Sequence, residues 1–261
     1  MIDENLVLYR EEAEIAVLIL NRPRTLNALD IPTLERLSAL LDQICAAESV
    51  KAVIITGSGT AFSAGADIRY LHRATPLEVR EFARLAVSVN KKVENLGKIV
   101  ASAINGYAIG GGLELAEACT LRVAAQAAKI GHPEVNIGAI AGFGGTTRLP
   151  RLVGKGRATE LLLRGRLLAA DEALDIGLIH KVAAPENLLD EAKAFLRDII
   201  GFSPIAVKLT WEAIHRGLDL TLEESTLLGA DMFGLVASSE GFRIGINAFL
   251  ERSRQRFPQA K

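Results

Sequence analysis

The sequence of 261 residues has little of what stabilises small secreted proteins or anchors membrane proteins. It contains two cysteines, Cys45 and Cys119, which are too few for a disulfide framework, so both are predicted to be buried free thiols in helical segments. No apolar run has the length of a membrane span, and the acidic N-terminus lacks the basic and then apolar pattern of a targeting signal. We therefore expect a soluble, cytoplasmic protein without a membrane partner.

Charge and histidine spacing argue against two further classes of protein. The 30 basic and 31 acidic residues are interspersed and give a formal net charge of −1, so the sequence has no evident basic stripe for nucleic acid. The histidines lack the spacing of metal ligands, and each is interpreted as structural or exposed. They are His72, His132, His180 and His215.

The common nucleotide-binding and nucleophile motifs are also missing. Gly57 and Gly59 follow a predicted strand, but the third glycine of the dinucleotide fingerprint is absent, and no GxxxxGK[ST] sequence occurs. The segment 61–65 is half of a nucleophile elbow. Because Ala61 stands where the first glycine belongs, Ser63 is not predicted to be a nucleophile.

The sequence does have enough apolar residues, 49% of the total, for the core of one large domain or two small ones. Apolar runs at 6–9 and 15–20 predict a hairpin, and Asp30 predicts the start of a helix that ends near Ala47. A buried strand at 52–56 follows, so a parallel sheet is expected. The other predicted elements are a loop at 62–68, a helix at 75–97, strands at 98–104 and 121–125, helices at 146–163 and 169–173, and a strand at 178–182. The segment 188–252 is predicted to be almost wholly helical, with breaks at 201–204 and near 238–241. This pattern predicts an α/β domain of repeated strand, turn and helix units with a helical C-terminal region.

The segment 105–116 carries the strongest chemical signal. Its three consecutive glycines at 110–112 predict a strand-to-helix turn whose free amides can bind an anion or stabilise an oxyanion. Glu114 lies one turn later and Glu134 twenty residues further, both in apolar surroundings that would raise a carboxyl pKa toward neutrality. We interpret this pair as candidates for acid–base catalysis. Other glutamates, such as Glu117, are interpreted as lying on solvated helix faces, as are Glu35 and Glu94.

At these residues the chain resembles the crotonase superfamily and, within it, the enoyl-CoA hydratases. The matching motifs occur in order over essentially the whole chain, at 22–29, 61–68, 105–116, 133–138, 144–149 and 240–252. The resemblance implies an α/β fold, a crotonase-like spiral of repeated ββα units with a helical C-terminal region. It divides the chain into a core at 1–195, which holds the CoA and catalytic site, and a trimerisation region at 196–261.

The resemblance also implies a reaction, the reversible addition of water across the 2,3 double bond of a trans-2-enoyl-CoA in fatty acid metabolism. Ala66 and Gly111 would donate the two amides of the oxyanion hole. Glu114 and Glu134 would activate the water and handle the proton at Cα, with proton donation usually given to Glu134. The residues expected to bind substrate or CoA are Arg24, Leu26, Ala28, Ala64, Gly65, Asp67, Ile68, Gly110, Gly142 and, from a neighbouring subunit, Phe249 and Arg252. Coenzyme A would be part of the substrate, no further cofactor or metal is implied, and a homotrimer or homohexamer is expected.

Two departures from the family pattern leave the acyl substrate open. Phe143 replaces a common alanine in the segment 140–145, and Thr120 replaces a common aspartate. One alternative is an isomerase, or a specialised lyase or hydrolase acting on a cyclic or aromatic-pathway acyl-CoA, because one scaffold hosts several chemistries. The other is a non-catalytic member that binds acyl-CoA or RNA. The presence of both glutamates favours hydration.

Overall fold

Ten strands lie within residues 3–251, the part of the chain that the computed structural model describes. They are β1 (Val7–Glu12), β2 (Ile15–Leu20), β3 (Ala52–Gly57), β4 (Ala61–Ser63), β5 (Ile99–Ile104), β6 (Tyr107–Ile109), β7 (Leu121–Ala125), β8 (Lys129–Gly131), β9 (Leu167–Ala169) and β10 (Lys181–Ala183). They form one sheet of six strands and one of four. The second sheet is absent from the elements that the sequence predicts.

Eleven α-helices lie within the described residues, and two of them begin at the residues predicted from sequence, Asp30 and Thr75. The eleven helices are α1 (Ile31–Ala46), α2 (Ile68–Leu71), α3 (Pro76–Glu94), α4 (Gly111–Ala118), α5 (Gly145–Val153), α6 (Lys155–Arg164), α7 (Ala170–Asp175), α8 (Leu188–Ile200), α9 (Pro204–Gly217), α10 (Leu222–Ala237) and α11 (Glu240–Leu250). Asp30 caps α1 by accepting a hydrogen bond of 3.0 Å from the Thr33 amide, and Thr75 with Glu78 forms a capping box on α3. Local capping therefore determines where these helices start.

The larger sheet has the strand order β1-β2-β3-β5-β7-β10. β1 and β2 pair antiparallel, as predicted for the hairpin, and the remaining neighbours pair parallel. β3 and β5 are buried along almost their whole length, as expected for parallel strands covered on both faces, which explains their apolar sequences. The predicted α/β class with a parallel sheet is confirmed.

The smaller sheet has the order β4-β6-β8-β9, and β4, β6 and β8 run parallel to one another. The pairs β3–β4, β5–β6 and β7–β8 each place one strand in each sheet and are followed by helical turns. These are the repeated ββα units that the resemblance implies. Each of the short strands has three residues, too few to show an alternating pattern.

Several local predictions need correction. Cys45 is exposed, although both thiols are free as predicted, because the inward face of α1 is formed by its leucines and Ile44. The segment 62–68 is not all loop, since it contains the end of β4 and the start of α2. The strand predicted at 178–182 forms only from Lys181. The C-terminal helices have an additional break at 218–221, where Thr221 caps α10.

The described residues divide into two compact units, one up to Lys193 and one from Ala194. The first unit contains both sheets and a hydrophobic core in which side chains of α1, α3 and α4 pack with the larger sheet. The second contains the end of α8 and helices α9, α10 and α11, with an edge-on contact between Phe233 and Phe242. No helix of residues 3–251 is both long and apolar enough to cross a membrane.

Candidate active site

The candidate site lies at the carboxyl edge of the smaller sheet. β4 leads into the loop at 64–66, β6 into the glycine turn, and β8 into the segment 132–134. Because these three strands are parallel neighbours, their carboxyl ends meet at one edge, where open α/β sheets usually place their ligand sites. Strand pairing thus brings together three of the motifs that the sequence analysis singled out.

The loop after β4 is joined by backbone hydrogen bonds to the segment 26–29. The Ala64 amide donates to the Leu26 carbonyl at 2.9 Å, and the Leu29 amide donates to the Gly65 carbonyl at 2.7 Å. The Asp67 amide then donates to the Leu29 carbonyl at 2.8 Å. The predicted CoA-binding residues of the first two motifs are therefore side by side.

Arg22, which was not among the predicted site residues, fixes the position of this loop. Its guanidinium lies 3.0 Å from Asp30 and 3.2 Å from Asp67, and it donates a hydrogen bond of 2.5 Å to the Ala28 carbonyl. Asp67 in turn caps α2 by accepting from the Arg69 amide. The sequence signal was present, since Arg22 opens the first family motif.

The amides of Ala66 and Gly111 lie in the two loops that face each other. Leu29 bonds to the groups on either side of Ala66, which directs the Ala66 amide away from that segment. A methyl group added at Gly111 would lie 3.3 Å from the Ala66 nitrogen. The Gly111 amide belongs to the first turn of α4 and has no intrahelical acceptor. This arrangement can place two donors on one developing oxyanion.

Glu134 lies over the glycine turn. Gly110 has a φ of +53°, a conformation that side chains rarely adopt, and a methyl group added there would lie 2.8 Å from Glu134 Oε1. The backbone conformation favours glycine at this position, and the short distance shows that the Glu134 carboxylate lies against it. The Glu134 side chain is 15% exposed and opens the 3-10 helix Glu134–Ile137.

Glu114 is buried on α4, with a residue exposure of 1%. Its Oε1 accepts hydrogen bonds of 2.7 Å from the backbone amides of Phe143 and Gly145. Burial raises the pKa of Glu114 to about 7, against the opposing effect of the Gly145 amide and His132. A carboxyl group with this pKa can exchange a proton near neutral pH.

The aromatic ring of Phe143 packs beside the glycine turn. Its ring meets Phe82 edge-on, with centroids 5.3 Å apart, and a methyl group added at Gly111 would lie 2.6 Å from its Cε2. Asn90 and Arg148 donate hydrogen bonds of 3.1 and 3.0 Å to the Phe143 carbonyl. Phe143 is therefore held by both its ring and its backbone.

The interpretation of Glu117 as a residue on a solvated helix face is wrong, and His132, interpreted as structural or exposed, is buried beside it. Both are buried, Glu117 on α4 and His132 in the segment that follows β8. His132 Nε2 lies 2.9 Å from Glu117 Oε1, and His132 Nδ1 lies 3.6 Å from Glu134 Oε1. The position of His132, two residues before Glu134, was the one available sequence signal.

Four other predicted site residues are either exposed or outside the described residues. Ile68 and Phe249 are exposed, Phe249 on α11 in the C-terminal unit. Gly142 is exposed in the turn before Phe143, and Arg252 lies outside the described residues. Within residues 3–251, no group of three or more histidine, cysteine or acidic side chains could hold a metal ion.

Comparison with known proteins matches this architecture along nearly the whole chain. A family model described as enoyl-CoA hydratase/isomerase matches residues 10–260. A crotonyl-CoA hydratase from Syntrophomonas wolfei is 42% identical over 255 residues, 97% of this chain and 98% of that protein. A short-chain-enoyl-CoA hydratase from Clostridium acetobutylicum is 40% identical over 251 residues, 96% of each protein.

A solved structure agrees with the fold. The crystal structure of an enoyl-CoA hydratase from Bacillus anthracis matches with a TM-score of 0.92 and 35% identity, over 98% of this chain and 100% of the other. The crotonase-like fold implied by the motifs is therefore confirmed. On sequence, fold and extent of coverage, the chain belongs to the enoyl-CoA hydratase/isomerase family.

Proposed function

We propose that this protein is an enoyl-CoA hydratase that adds water reversibly across the 2,3 double bond of short trans-2-enoyl-CoA thioesters. One observation carries the proposal. Glu114, in the first turn of α4, and Glu134, beside Gly110, both lie near the place where the backbones of Ala66 and Gly111 approach each other. Two relatives with 42% and 40% identity bear the names crotonyl-CoA hydratase and short-chain-enoyl-CoA hydratase.

The two amides act on the thioester carbonyl oxygen. When water attacks Cβ, electrons move through the conjugated system and negative charge develops on that oxygen. The Ala66 and Gly111 amides donate hydrogen bonds to it from fixed positions, and the loss of one such donor typically costs about 3–4 kcal/mol. The same donors orient the substrate in the ground state.

The two glutamates divide the proton transfers. Glu114 is held through Oε1 by two amides, which leaves Oε2 for the attacking water, and it accepts a proton as the water oxygen bonds to Cβ. Glu134 donates a proton to Cα, so that the elements of one water molecule are added. Proton transfer between the carboxyl groups or with solvent then restores the site. Different surroundings allow two carboxyl groups to take opposite roles.

Phe143 supports the choice of a short acyl group. Its ring stands against Gly111, where the acyl chain would lie, and Asn90 and Arg148 restrain its backbone. The Phe143→Ala variant should raise kcat/KM for trans-2-octenoyl-CoA relative to crotonyl-CoA. An unchanged ratio would show that Phe143 does not limit chain length.

Coenzyme A, as part of the substrate, is proposed to lie along Arg24, Leu26 and Ala28. The hydrogen-bonded contact of this segment with the loop at 64–68 supports this path. We assign Phe249 and Arg252 to the CoA site of a neighbouring subunit in a homotrimer or homohexamer. Large apolar side chains exposed on α10 and α11 support association; they include Leu222, Leu227, Phe233, Leu235, Phe249 and Leu250. Light scattering should give the mass of three or six chains.

The direct test follows the absorbance of crotonyl-CoA, whose conjugated enoyl-thioester band disappears on hydration. Rapid loss with 3-hydroxybutyryl-CoA as the product by mass spectrometry is expected. The Glu134→Gln variant should lose roughly 10²–10⁴-fold in kcat but still bind the thioester, whereas Glu35→Gln, an exposed change on α1, should behave as wild type. Binding without any hydration by the wild-type protein would contradict the proposal and favour isomerisation or a specialised acyl substrate.

A further inference from the structure

A second group of ionisable side chains, Glu117 and His132, lies next to the two catalytic glutamates. Glu117 follows Glu114 by one turn of α4, and its side chain is 0% exposed. The His132 ring lies between two carboxylates, with Nε2 at 2.9 Å from Glu117 Oε1 and Nδ1 at 3.6 Å from Glu134 Oε1. A methyl group added at Gly145 would lie 2.8 Å from His132 Cε1 and 3.1 Å from Glu114 Cγ. The imidazole therefore lies next to the carboxylates of Glu117 and Glu134, and Gly145 adjoins both this ring and the Glu114 side chain.

This group is not arranged as a fully satisfied structural network. Glu117 Oε2, His132 Nδ1 and Glu134 Oε2 are buried and have no hydrogen-bond partner among the described residues. Buried polar atoms without partners are rare in folded proteins, because each loses its hydration without compensation. Such atoms concentrate where function conflicts with stability.

The charge state of the pair follows from its surroundings. Burial acts to lower the pKa of His132, but the adjacent Glu117 carboxylate, with a contribution from Glu134, raises it to about 10. A buried carboxylate needs a charged or hydrogen-bonding partner, and the protonated ring supplies one. Both ring nitrogens of a protonated histidine are donors, so Nδ1–H is directed toward Glu134.

The other charged groups near the pair are engaged elsewhere. Arg122 on β7 donates to backbone carbonyls, among them those of Cys119 and Leu178 at 2.6 and 2.7 Å. Arg148 on α5 lies 2.6 Å from Glu94 of α3. Glu114, which also faces the ring, is bound by two amides. His132 is thus the cation placed to compensate Glu117.

We propose that His132 and Glu117 form a buried ion pair that positions Glu134 for proton donation to Cα, an inference that rests on the hydratase function proposed above. The Nδ1–H group holds Glu134 Oε1 and stabilises the carboxylate that remains after the proton leaves. Glu117 holds the ring and keeps it protonated. The separation of 3.6 Å is longer than a hydrogen bond, and catalytic contacts of this kind commonly tighten when substrate binds. His132 and Glu117 are positioning residues that act through Glu134.

The first test replaces both members of the pair, because a single change would leave a buried charge without its partner. The His132→Gln/Glu117→Gln double variant should fold, keep the wild-type KM for crotonyl-CoA and lose kcat by roughly 10- to 100-fold, as for other residues that orient a catalytic group. His215→Gln, a half-buried histidine on α9 in the C-terminal unit, is the matched control. A kcat within about twofold of wild type throughout the active pH range would overturn the proposal.

A second test asks whether the pair acts through Glu134. In the Glu134→Gln background, the same double change should cause little further loss of kcat, because the group it positions is already gone. A loss as large as in the wild-type background would show an independent structural effect and contradict the proposal. Stopped or overnight assays with mass spectrometry can measure the residual rates.

A third measurement does not depend on turnover. In protein labelled with ¹⁵N at histidine, the His132 nitrogens should remain those of a protonated ring at pH values well above 6.5, the ordinary pKa of a histidine side chain. A His132 ring that becomes neutral near pH 6.5 would overturn the ion pair. This measurement decides whether the ion pair exists, and its result does not depend on whether the wild-type protein hydrates crotonyl-CoA.

Discussion

The ring of Phe143 lies so close to Gly111 that a methyl group at Gly111 would be 2.6 Å from its Cε2 atom. The ring cannot easily move, because it is 6% exposed and packs edge-on against Phe82. The amide proposed to bind the thioester oxygen and the residue proposed to limit the acyl chain therefore share one contact. A substitution at either residue should therefore alter the position of the other.

The Gly111→Ala substitution tests this contact. It should lower kcat/KM for crotonyl-CoA by roughly 10²-fold or more, since the clash displaces an oxyanion donor. Adding Phe143→Ala removes the ring and should restore part of the loss. Gly156→Ala, on α6 with open space around it, is the control. A double variant no better than Gly111→Ala would show that the loss has another cause.

Catalysis should depend on the ionisation of Glu114. Burial raises the pKa of this group to about 7, and only its ionised form can accept the proton of the attacking water. We expect kcat/KM to fall as the pH drops below about 7, with an apparent pKa that reports the free enzyme. A profile that stays flat down to about pH 5 would separate Glu114 from the role of base.

Stability should also depend on pH through His132. Its pKa rises from 6.5 to about 10 on folding, so the folded state holds the proton more tightly than the unfolded state. The resulting stabilisation is fully present below pH 6.5 and is lost as the pH rises toward 10. The free energy of unfolding in urea should therefore decrease between about pH 6.5 and about pH 9.

The His132→Gln/Glu117→Gln double variant is the comparison for this measurement. It should show a smaller decrease over the same pH range, because the group that binds the extra proton is absent. Glu114 is the same in both proteins, and its pKa of about 7 is raised from 4.5, so most of its own stabilisation is lost below this range. Equal slopes for the two proteins would mean that His132 titrates normally.

Arg122 should contribute to the free energy of unfolding, although no role in catalysis is proposed for it. Its guanidinium donates to the Cys119 carbonyl at the end of α4 and to the Leu178 carbonyl, at 2.6 and 2.7 Å. Arg122→Met removes these buried donors and should lower the free energy of unfolding by roughly 2–4 kcal/mol. Arg164→Met, which breaks an exposed pair with Glu160, should cost less than about 1 kcal/mol. Equal losses of unfolding free energy in the two variants would show that the buried hydrogen bonds of Arg122 do not stabilise the fold more than an exposed ion pair does.

The elements predicted correctly from sequence are those with strong local signals. The hairpin of β1 and β2, the capped helices α1 and α3, and the apolar strands β3 and β5 are long, and their caps act within a few residues. The strands β4, β6, β8 and β9 could not be predicted in the same way. Each has three residues and is stabilised by pairing with a strand distant in the chain, so its local sequence carries no period.

The sequence by itself determined the family motifs, the glycine turn and the two glutamates Glu114 and Glu134, because these depend on residue type and order. Only the tertiary structure decided that the three loops meet at one edge, that Glu117 is buried against His132, and that Phe143 stands against Gly111. The physical reason is that burial, pKa and side-chain contacts depend on the residues that meet α4 from the segment after β8 and from the segment before α5. Those partners lie 15 to 31 residues away in the chain, and no local pattern specifies them.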